Sequence, residues 1–206
     1  MFTKIKLPGK ACITCFRDFS AAQWEIFAGN LLMLATIAFY ITWWAASSGD
    51  VNNTGTGFFL TATLFAGVAA IAVLSIGIKS LPRAENGIPV MYIMSGAVTF
   101  FIILLLVTKI AFQRAVTSEL LLITMWSALE WSAIAALHGN GRFHGSQALT
   151  LAIMVALAAG VGIICYILHY RLDETARFWN GLFPLIVDEG VVAVFLAMMA
   201  HCKRNL

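Results

Sequence analysis

Six long apolar runs, separated by short polar connectors, constrain the fold of this chain more than any other feature. They cover residues 21–46, 58–78, 88–112, 119–138, 146–169 and 178–200. About 20 consecutive apolar residues cross the hydrocarbon core of a bilayer as a helix. The runs are continuously apolar, as in LLMLATIAFYITWW, whereas the strands of a membrane barrel alternate apolar with polar residues. The pattern therefore predicts an all-α, polytopic integral membrane bundle of six transmembrane helices.

The composition excludes a water-soluble globule. Hydrophobic residues make up 61% of the chain and charged residues 11%, whereas soluble domains carry about 25% charged residues. None of the connectors is long enough to fold independently. We therefore predict a cytoplasmic N-terminal arm over residues 1–20 and a single membrane domain over residues 21–206, with the lipid bilayer as its first partner.

Lysine and arginine are distributed unevenly between the two ends of the predicted helices. One side holds Lys4, Lys6, Lys10, Arg17, Lys79, Arg83, Arg142, Lys203 and Arg204, and the other holds Lys109, Arg114, Arg171 and Arg177. The basic side of a membrane protein usually faces the cytoplasm. Both termini are therefore predicted to be cytoplasmic, in a plasma (inner) membrane. These cations flank helices, where they would meet lipid headgroups, so the net charge of +3 indicates no nucleic-acid partner.

Residues 21–112 and 119–200 are candidate internal repeats. The second run and its connector, GVAAIAVLSIGIKSLPRAENGIP, align loosely with GVGIICYILHYRLDETARFWNGLFP from the fifth. Chance similarity between apolar segments is the alternative explanation. A true repeat of three helices would invert the second copy, giving the 3+3 inverted repeat of many transporters, whose binding site lies at the midplane.

Acidic residues stand at the centres of two predicted helices. Asp188 and Glu189 are adjacent in the middle of the sixth run, and Glu130 lies near the centre of the fourth, one turn after Ser127. Each charge at such a depth costs roughly 2.5–3.5 kcal/mol on insertion scales and usually marks a functional site. The sequence therefore predicts a substrate- or ion-binding site at mid-depth. The structural alternative is a protonated carboxyl group that is hydrogen-bonded to a neighbouring helix.

Other polar residues in the runs are candidates for the same site. Pro184 removes the helical hydrogen bond to the carbonyl of Asn180, so Pro184 is a candidate hinge and Asn180 a candidate ligand. Tyr92 and Ser95 share one face of the third helix and are candidates to line a path. Polar side chains also join helices in membranes without any other role, and that alternative stays open.

Metal and cofactor signals in the chain are weak. Cys12 and Cys15 form a single CxxC pair, and one such pair without partners does not establish a metal site. His138 stands at the end of the fourth run, where histidines are usually solvated. No cofactor is predicted and no catalytic residue is assigned, since the chain lacks GK[ST], HExxH and G-x-S-x-G motifs.

A small membrane transporter or channel is the function that these features favour. Carboxylates at the bilayer centre favour a small solute or cation and disfavour anions, and they permit proton or cation coupling. The alternatives are a membrane-embedded enzyme, a redox or metal-binding subunit, and an accessory subunit of a membrane complex. An enzyme acting on lipids would more naturally hold its polar groups near the interface, so catalysis is not the expectation. Small polytopic proteins often assemble, which leaves a homo-oligomer open.

Overall fold

The computed structural model of the chain describes residues 19–47, 56–81, 90–112, 118–169 and 171–201. These ranges hold six helices and no strand, which confirms the all-helical prediction. The helices are α1 Ala21–Ser47, α2 Thr56–Ser80, α3 Val90–Phe112, α4 Ser118–Gly139, α5 Gly145–His169 and α6 Glu174–His201. The predicted N-terminal arm lies outside the described residues except for its last two, Phe19 and Ser20.

Within the described ranges, four helices are long and apolar enough to cross a membrane, namely α1, α2, α5 and α6. Helix α5 has 25 residues, which makes it roughly 37 Å long against a hydrocarbon core of about 30 Å. In α3 the apolar segment is shorter, Ser95–Val107. These four candidate spans support an integral membrane protein.

Side-chain caps fix where several helices begin. The Ser20 hydroxyl oxygen accepts from the backbone N–H of Gln23 at 3.3 Å, while the Gln23 side chain accepts from the N–H of Ser20 at 3.2 Å. This reciprocal pair is a capping box at the start of α1. Asp173 caps α6 by accepting from the N–H of Ala176 at 3.3 Å. Between α4 and α5 the chain turns at Gly141, whose φ of 76° is accessible to glycine at little cost.

Five of the helices form a closed circuit of contacts. Helix α1 packs against α2 and α6, α6 against α5, α5 against α4, and α4 against α2. Helix α3 packs against α4, and none of its side chains that the structure describes is buried. Helix α4 is the most enclosed, because almost every side chain from Trp126 to Ile134 is buried. A helix covered by other helices can carry polar groups that lipid would not accept.

The two candidate repeats are not packed alike in the described residues. Helix α6 packs against α5 and α1, whereas α3 packs against α4 and not extensively against α2. The third helices of the two halves therefore occupy non-equivalent positions. The inverted repeat stays a prediction.

Helices α1 and α2 approach each other closely through two glycines. A Cβ added to Gly29 would lie 2.6 Å from Leu74 Cγ and 2.9 Å from the Leu74 backbone nitrogen. One added to Gly77 would lie 2.8 Å from Ile26 Cγ1 and 2.9 Å from the Ile26 backbone nitrogen. Small residues allow such close backbone contact between membrane helices. The contact fixes the rotation of α1, and with it the direction in which the next residue, Asn30, points.

Candidate functional site

Glu130 and Asp188 form an acid pair inside the bundle. Glu130 on α4 has 0% of its surface exposed, and neither of its carboxyl oxygens has a hydrogen-bond partner among the described residues. Asp188 on α6 is half-buried and close enough to Glu130 for the two carboxyl groups to interact electrostatically. Glu189 is also half-buried, but its side chain leaves α6 about 100° away from that of Asp188. The structure thus brings together two of the three predicted acids.

The helical repeat explains why these two acids point inward. On α6, Asp188 precedes the buried residues Val191, Val192, Phe195 and Met199 at intervals of three and four residues, so it extends their face by one turn. On α4, Glu130 lies one turn from Trp126, Ala133 and Ile134, which are also buried. Asp188 therefore extends an apolar buried face, whereas Glu130 lies in a stretch of helix that is buried almost all round.

Asn30 is a third polar side chain on a buried face, that of α1. Its neighbours on this face are Ile26, Met33 and Ile37. The exposed fraction of Asn30 is 0%. Its Nδ2 donates to the carbonyl of Ile26 at 3.0 Å, and its Oδ1 is buried without a hydrogen-bond partner among the described residues. Asn30 is not among the site residues that the sequence predicts.

Trp126 on α4 is a further buried side chain with a polar atom. Its indole N–H is buried and has no hydrogen-bond partner in the described part of the chain. An indole can only donate, whereas the amide oxygen of Asn30 and ionised carboxylates can only accept.

One end of the bundle is closed by polar and aromatic contacts, and we call it the Arg142 end. The Gln23 side-chain N–H donates to Asn140 Oδ1 at 3.0 Å, which joins α1 to the turn after α4. Arg142 is 2% exposed, and its Nη2 donates to the carbonyl of Met199 near the end of α6 at 2.7 Å. Its guanidinium carbon lies 4.5 Å from the centre of the Phe19 ring. The beginning of α1 and the end of α6 therefore lie at the same end of the bundle.

Asn30, Glu130 and Asp188 can be placed by their distances from the Arg142 end. Asn30 is about 10 Å along α1 from Gln23, at a rise of about 1.5 Å per residue. By the same measure, Glu130 is about 15 Å from Asn140 and Asp188 about 16 Å from Met199. The two acids therefore lie at similar distances from this end of the bundle, and Asn30 lies about one helical turn nearer to it.

Three other predicted site residues do not join the acid pair. Tyr92 is 66% exposed and Ser95 is also exposed, because both lie on α3, which in the described residues packs against the circuit mainly through α4. Ser127 is buried, but its hydroxyl donates to the Ile123 carbonyl of its own helix at 2.8 Å. Ser127 thus lies one turn from Glu130, but its hydroxyl hydrogen is already engaged in the bond to the Ile123 carbonyl.

Asn180 and Pro184 lie nearer the opposite end of α6. The Asn180 side-chain N–H donates to the carbonyl of Cys165 at 2.6 Å, which joins α6 to α5. A shallow cavity of about 310 Å³ lies here between the two helices, lined by Cys165, Trp179, Asn180, Leu182, Phe183 and Ile186. Helix α6 continues through Pro184 without a break in its helical assignment. Asn180 is about 12 Å along the helix from Asp188, so the structure does not place it beside the acid pair.

The weak metal candidates gain no support from the geometry. Cys12 and Cys15 lie outside the described residues. His138 Nδ1 lies 3.0 Å from the carbonyl oxygen of Phe143 and holds the turn after α4. Within the described ranges, no group of three or more His, Cys, Asp or Glu residues is arranged to hold a metal ion. No protein-family model matches the chain, and neither a curated protein nor a solved structure matches it.

Proposed function

We propose that this protein is a small integral membrane transporter or channel for a small solute or cation, in which Glu130 and Asp188 form the coupling site for a proton or cation. One observation carries the proposal. Glu130 is completely buried near the middle of α4, with both carboxyl oxygens unpartnered among the described residues and a second carboxyl group nearby.

A structural role for Glu130 is poorly supported by its contacts. An unsatisfied buried polar group costs about 1–3 kcal/mol, and no hydrogen bond from the described residues offsets that cost. An apolar side chain of similar size would stabilise the bundle more. Carboxyl groups kept at this depth usually belong to proton relays or ion pathways.

Exchange at Glu130 requires the helices to move, because the side chain has no exposed surface. The described arrangement therefore corresponds to an occluded state of the proposed transporter. Pro184, one turn before Asp188 on α6, remains the proposed hinge. The proposal includes six membrane spans, a plasma-membrane location and cytoplasmic termini.

Proton flux into proteoliposomes tests the proposal. Purified protein is reconstituted with a pH-sensitive dye inside the vesicles, and the internal pH is followed after a proton gradient is imposed. We expect Glu130→Gln to lower the protein-dependent flux at least tenfold and Asp188→Asn to lower it measurably, because each change removes an exchangeable proton. Glu174→Gln is the matched control, since Glu174 is an exposed acid in the first turn of α6.

Equal fluxes in the wild type, Glu130→Gln and Asp188→Asn would reject the acid pair as the coupling site. Circular dichroism and gel filtration of each variant show whether a lost flux reflects lost folding. A Glu130→Gln protein that is folded and inactive supports the proposal.

A further inference from the structure

We infer that the cavity between α5 and α6 binds a single zwitterionic phospholipid of the phosphatidylethanolamine type. An acyl chain occupies the cavity, and the headgroup lies against the charged turn that joins the two helices. We call the cavity the α5–α6 groove, and it is lined by Cys165, Trp179, Asn180, Leu182, Phe183 and Ile186. The inference depends on the membrane location of these helices and not on the acid pair.

The groove opens on the side of α6 that faces away from the bundle. A Cβ added to Gly181 would lie 2.8 Å from Trp44 Cζ2, so this side of α6 faces α1. Trp179 and Phe183 leave the helix on roughly the opposite side, and they are 61% and 55% exposed. Ile186, one turn further along, is 51% exposed. In a membrane these side chains contact lipid, so an acyl chain can enter the groove directly from the bilayer.

The size and the lining of the groove suit a hydrocarbon chain. Its volume is about 310 Å³, at the lower end of the range of about 300–1,000 Å³ that is typical of ligand pockets. The Asn180 Nδ2 donates to the carbonyl of Cys165 at 2.6 Å, which joins the two walls of the groove. The lining is otherwise mainly aromatic and aliphatic, so it offers an acyl chain more than it offers a polar solute.

An arginine lies at the same end of each wall. On α6, Arg177 is about 3 Å along the helix from Trp179, and its Nη2 donates to the Leu172 carbonyl at 3.1 Å. The backbone N–H of Arg171 donates to the Leu168 carbonyl at 2.8 Å, which holds Arg171 against the end of α5. Both arginines are exposed, and a guanidinium group pairs well with phosphate. Tryptophan is common at the headgroup level of membrane proteins, so the arginines lie where a lipid phosphate belongs.

The charge of the turn favours a zwitterionic headgroup over an anionic one. Asp173 and Glu174 are exposed beside the two arginines, so residues 171–177 carry no net charge. Asp173 caps α6 by accepting from the N–H of Ala176 at 3.3 Å, which leaves Glu174 as the carboxylate for the headgroup ammonium. An anionic lipid would offer the same phosphate but would meet Glu174 without a positive charge of its own.

Native mass spectrometry of the purified protein tests the inference. The protein is extracted in a mild detergent, and its mass is measured before delipidation, after it, and during titration with phosphatidylethanolamine or phosphatidylglycerol of equal chain length. We expect the untreated protein to retain a single phosphatidylethanolamine, and the delipidated protein to bind it more tightly than phosphatidylglycerol. Absence of bound phospholipid in both measurements overturns the site. Equal or tighter binding of phosphatidylglycerol overturns the zwitterionic assignment.

Substitutions in the turn test the headgroup contacts. For Arg177→Gln we expect about a tenfold rise in the phosphatidylethanolamine concentration at half-maximal binding, as loss of one charge-assisted hydrogen bond would cause. Glu174→Gln should reduce the preference over phosphatidylglycerol. Lys79→Gln is the matched control, because Lys79 is an exposed cation at the end of α2, and it should bind lipid as the wild type does. Equal affinities of the wild type and Arg177→Gln would overturn the headgroup contact.

A larger side chain inside the groove tests the chain-binding site. In Cys165→Phe the added ring would occupy the space of the acyl chain, so we expect the retained phospholipid to be lost. Ile164→Phe is the matched control, since Ile164 is 58% exposed and does not line the groove, and it should keep the lipid. Thermal unfolding of each variant confirms folding, and Ile186→Trp is the second filling variant if Cys165→Phe fails to fold. Equal lipid retention in the filled and control variants would overturn the groove as the site of the chain.

Discussion

Polar side chains inside this bundle fall into two groups that differ in their hydrogen bonds. The hydroxyls of Thr36, Ser127 and Ser132 each donate to a carbonyl one turn back on their own helix, at 2.6–2.8 Å. Such groups are satisfied within one helix and cost little in lipid. Glu130 and the amide oxygen of Asn30 have no such partner among the described residues. The three hydroxyl groups therefore need no partner beyond their own helix. The oxygens of Glu130 and Asn30 lack a hydrogen-bond donor, and a bound proton or cation would supply what they lack.

Arg142 is expected to stabilise the fold rather than the site. Arg142→Met keeps much of the side-chain volume but removes the bond to the Met199 carbonyl and the contact with the Phe19 ring. A hydrogen bond to a charged group contributes about 1.5–3 kcal/mol. A cation–π contact adds about 0.5–2 kcal/mol. We predict a loss of about 2–4 kcal/mol in the free energy of unfolding, measured by denaturant titration in detergent.

Arg171→Met is the control for this prediction, because Arg171 is exposed between α5 and α6. It should change the free energy of unfolding by no more than about 0.5 kcal/mol. Equal effects of the two substitutions would show that the buried position of Arg142 contributes nothing to stability.

A residue stands out in the amino-acid sequence when its type is rare in the segment that surrounds it. Glu130 and Asp188 stand out in the sequence because a carboxyl group within a long apolar run is rare. Asn30 was not predicted, since a single amide in a membrane helix more often joins two helices. Arg142 resembled any other connector charge, because its burial depends on Phe19 and Met199, which are distant in sequence.

At the scale of helices, the contact between α1 and α2 sets the geometry on which Asn30 depends. Gly29 and Gly77 allow the two backbones to meet, and Asn30 follows Gly29 directly. Movement of α1 relative to α2 would therefore change where the amide oxygen points. We expect these two helices to act as one rigid unit in any transport cycle.

Substitution of Gly77 tests this contact. In Gly77→Ala the new methyl group would lie 2.9 Å from the Ile26 nitrogen and 3.0 Å from the Ala22 carbonyl oxygen, which are backbone atoms that cannot rotate away. Overpacking of this kind costs about 1–3 kcal/mol, so we predict a clear fall in Tm. Gly160→Ala on α5 is the control, because its methyl group would meet nothing within 4 Å.

Replacing glycine by alanine within a helix otherwise stabilises it by roughly 0.5–1 kcal/mol. Gly160→Ala should therefore hold or raise the Tm in a thermal unfolding series run beside Gly77→Ala. A Tm for Gly77→Ala at or above that of Gly160→Ala would show that α1 and α2 are not in close backbone contact.

Hydropathy predicted the existence and approximate bounds of the helices but not their neighbours. The run at 88–112 is apolar around most of its circumference, and its few polar residues do not show which side the neighbouring helices cover. Only the tertiary contacts show that α3 packs against α4. The same contacts show that Tyr92 and Ser95 are separated from the acid pair. The same lack of marked faces left the inverted repeat undecidable from sequence.

For the whole molecule, the alternation of helix directions places the start of α1, the end of α4 and the end of α6 together. The contacts of Gln23 with Asn140 and of Arg142 with Met199 establish this arrangement. The basic connectors favour the cytoplasm for the same end. This arrangement underlies the proposed orientation and has a direct chemical test.

Cysteine labelling in intact cells provides that test. In a variant whose four native cysteines are replaced by serine, Ser146→Cys lies at the start of α5 and Arg171→Cys lies after its end. We predict that a membrane-impermeant maleimide labels Arg171→Cys in intact cells but labels Ser146→Cys only after permeabilisation. Labelling of both from outside would mean that α5 does not cross the membrane, and the reverse pattern would invert the proposed orientation.

The burial of Arg142 imposes an order on biosynthesis. Two of its contacts come from Phe19, before the first helix, and Met199, near the end of the last. A nascent chain that ends before α6 still lacks the Met199 carbonyl, which accepts from this guanidinium. We therefore expect the Arg142 end to close only after α6 is made, and a chain truncated after His169 to be degraded faster than the full chain.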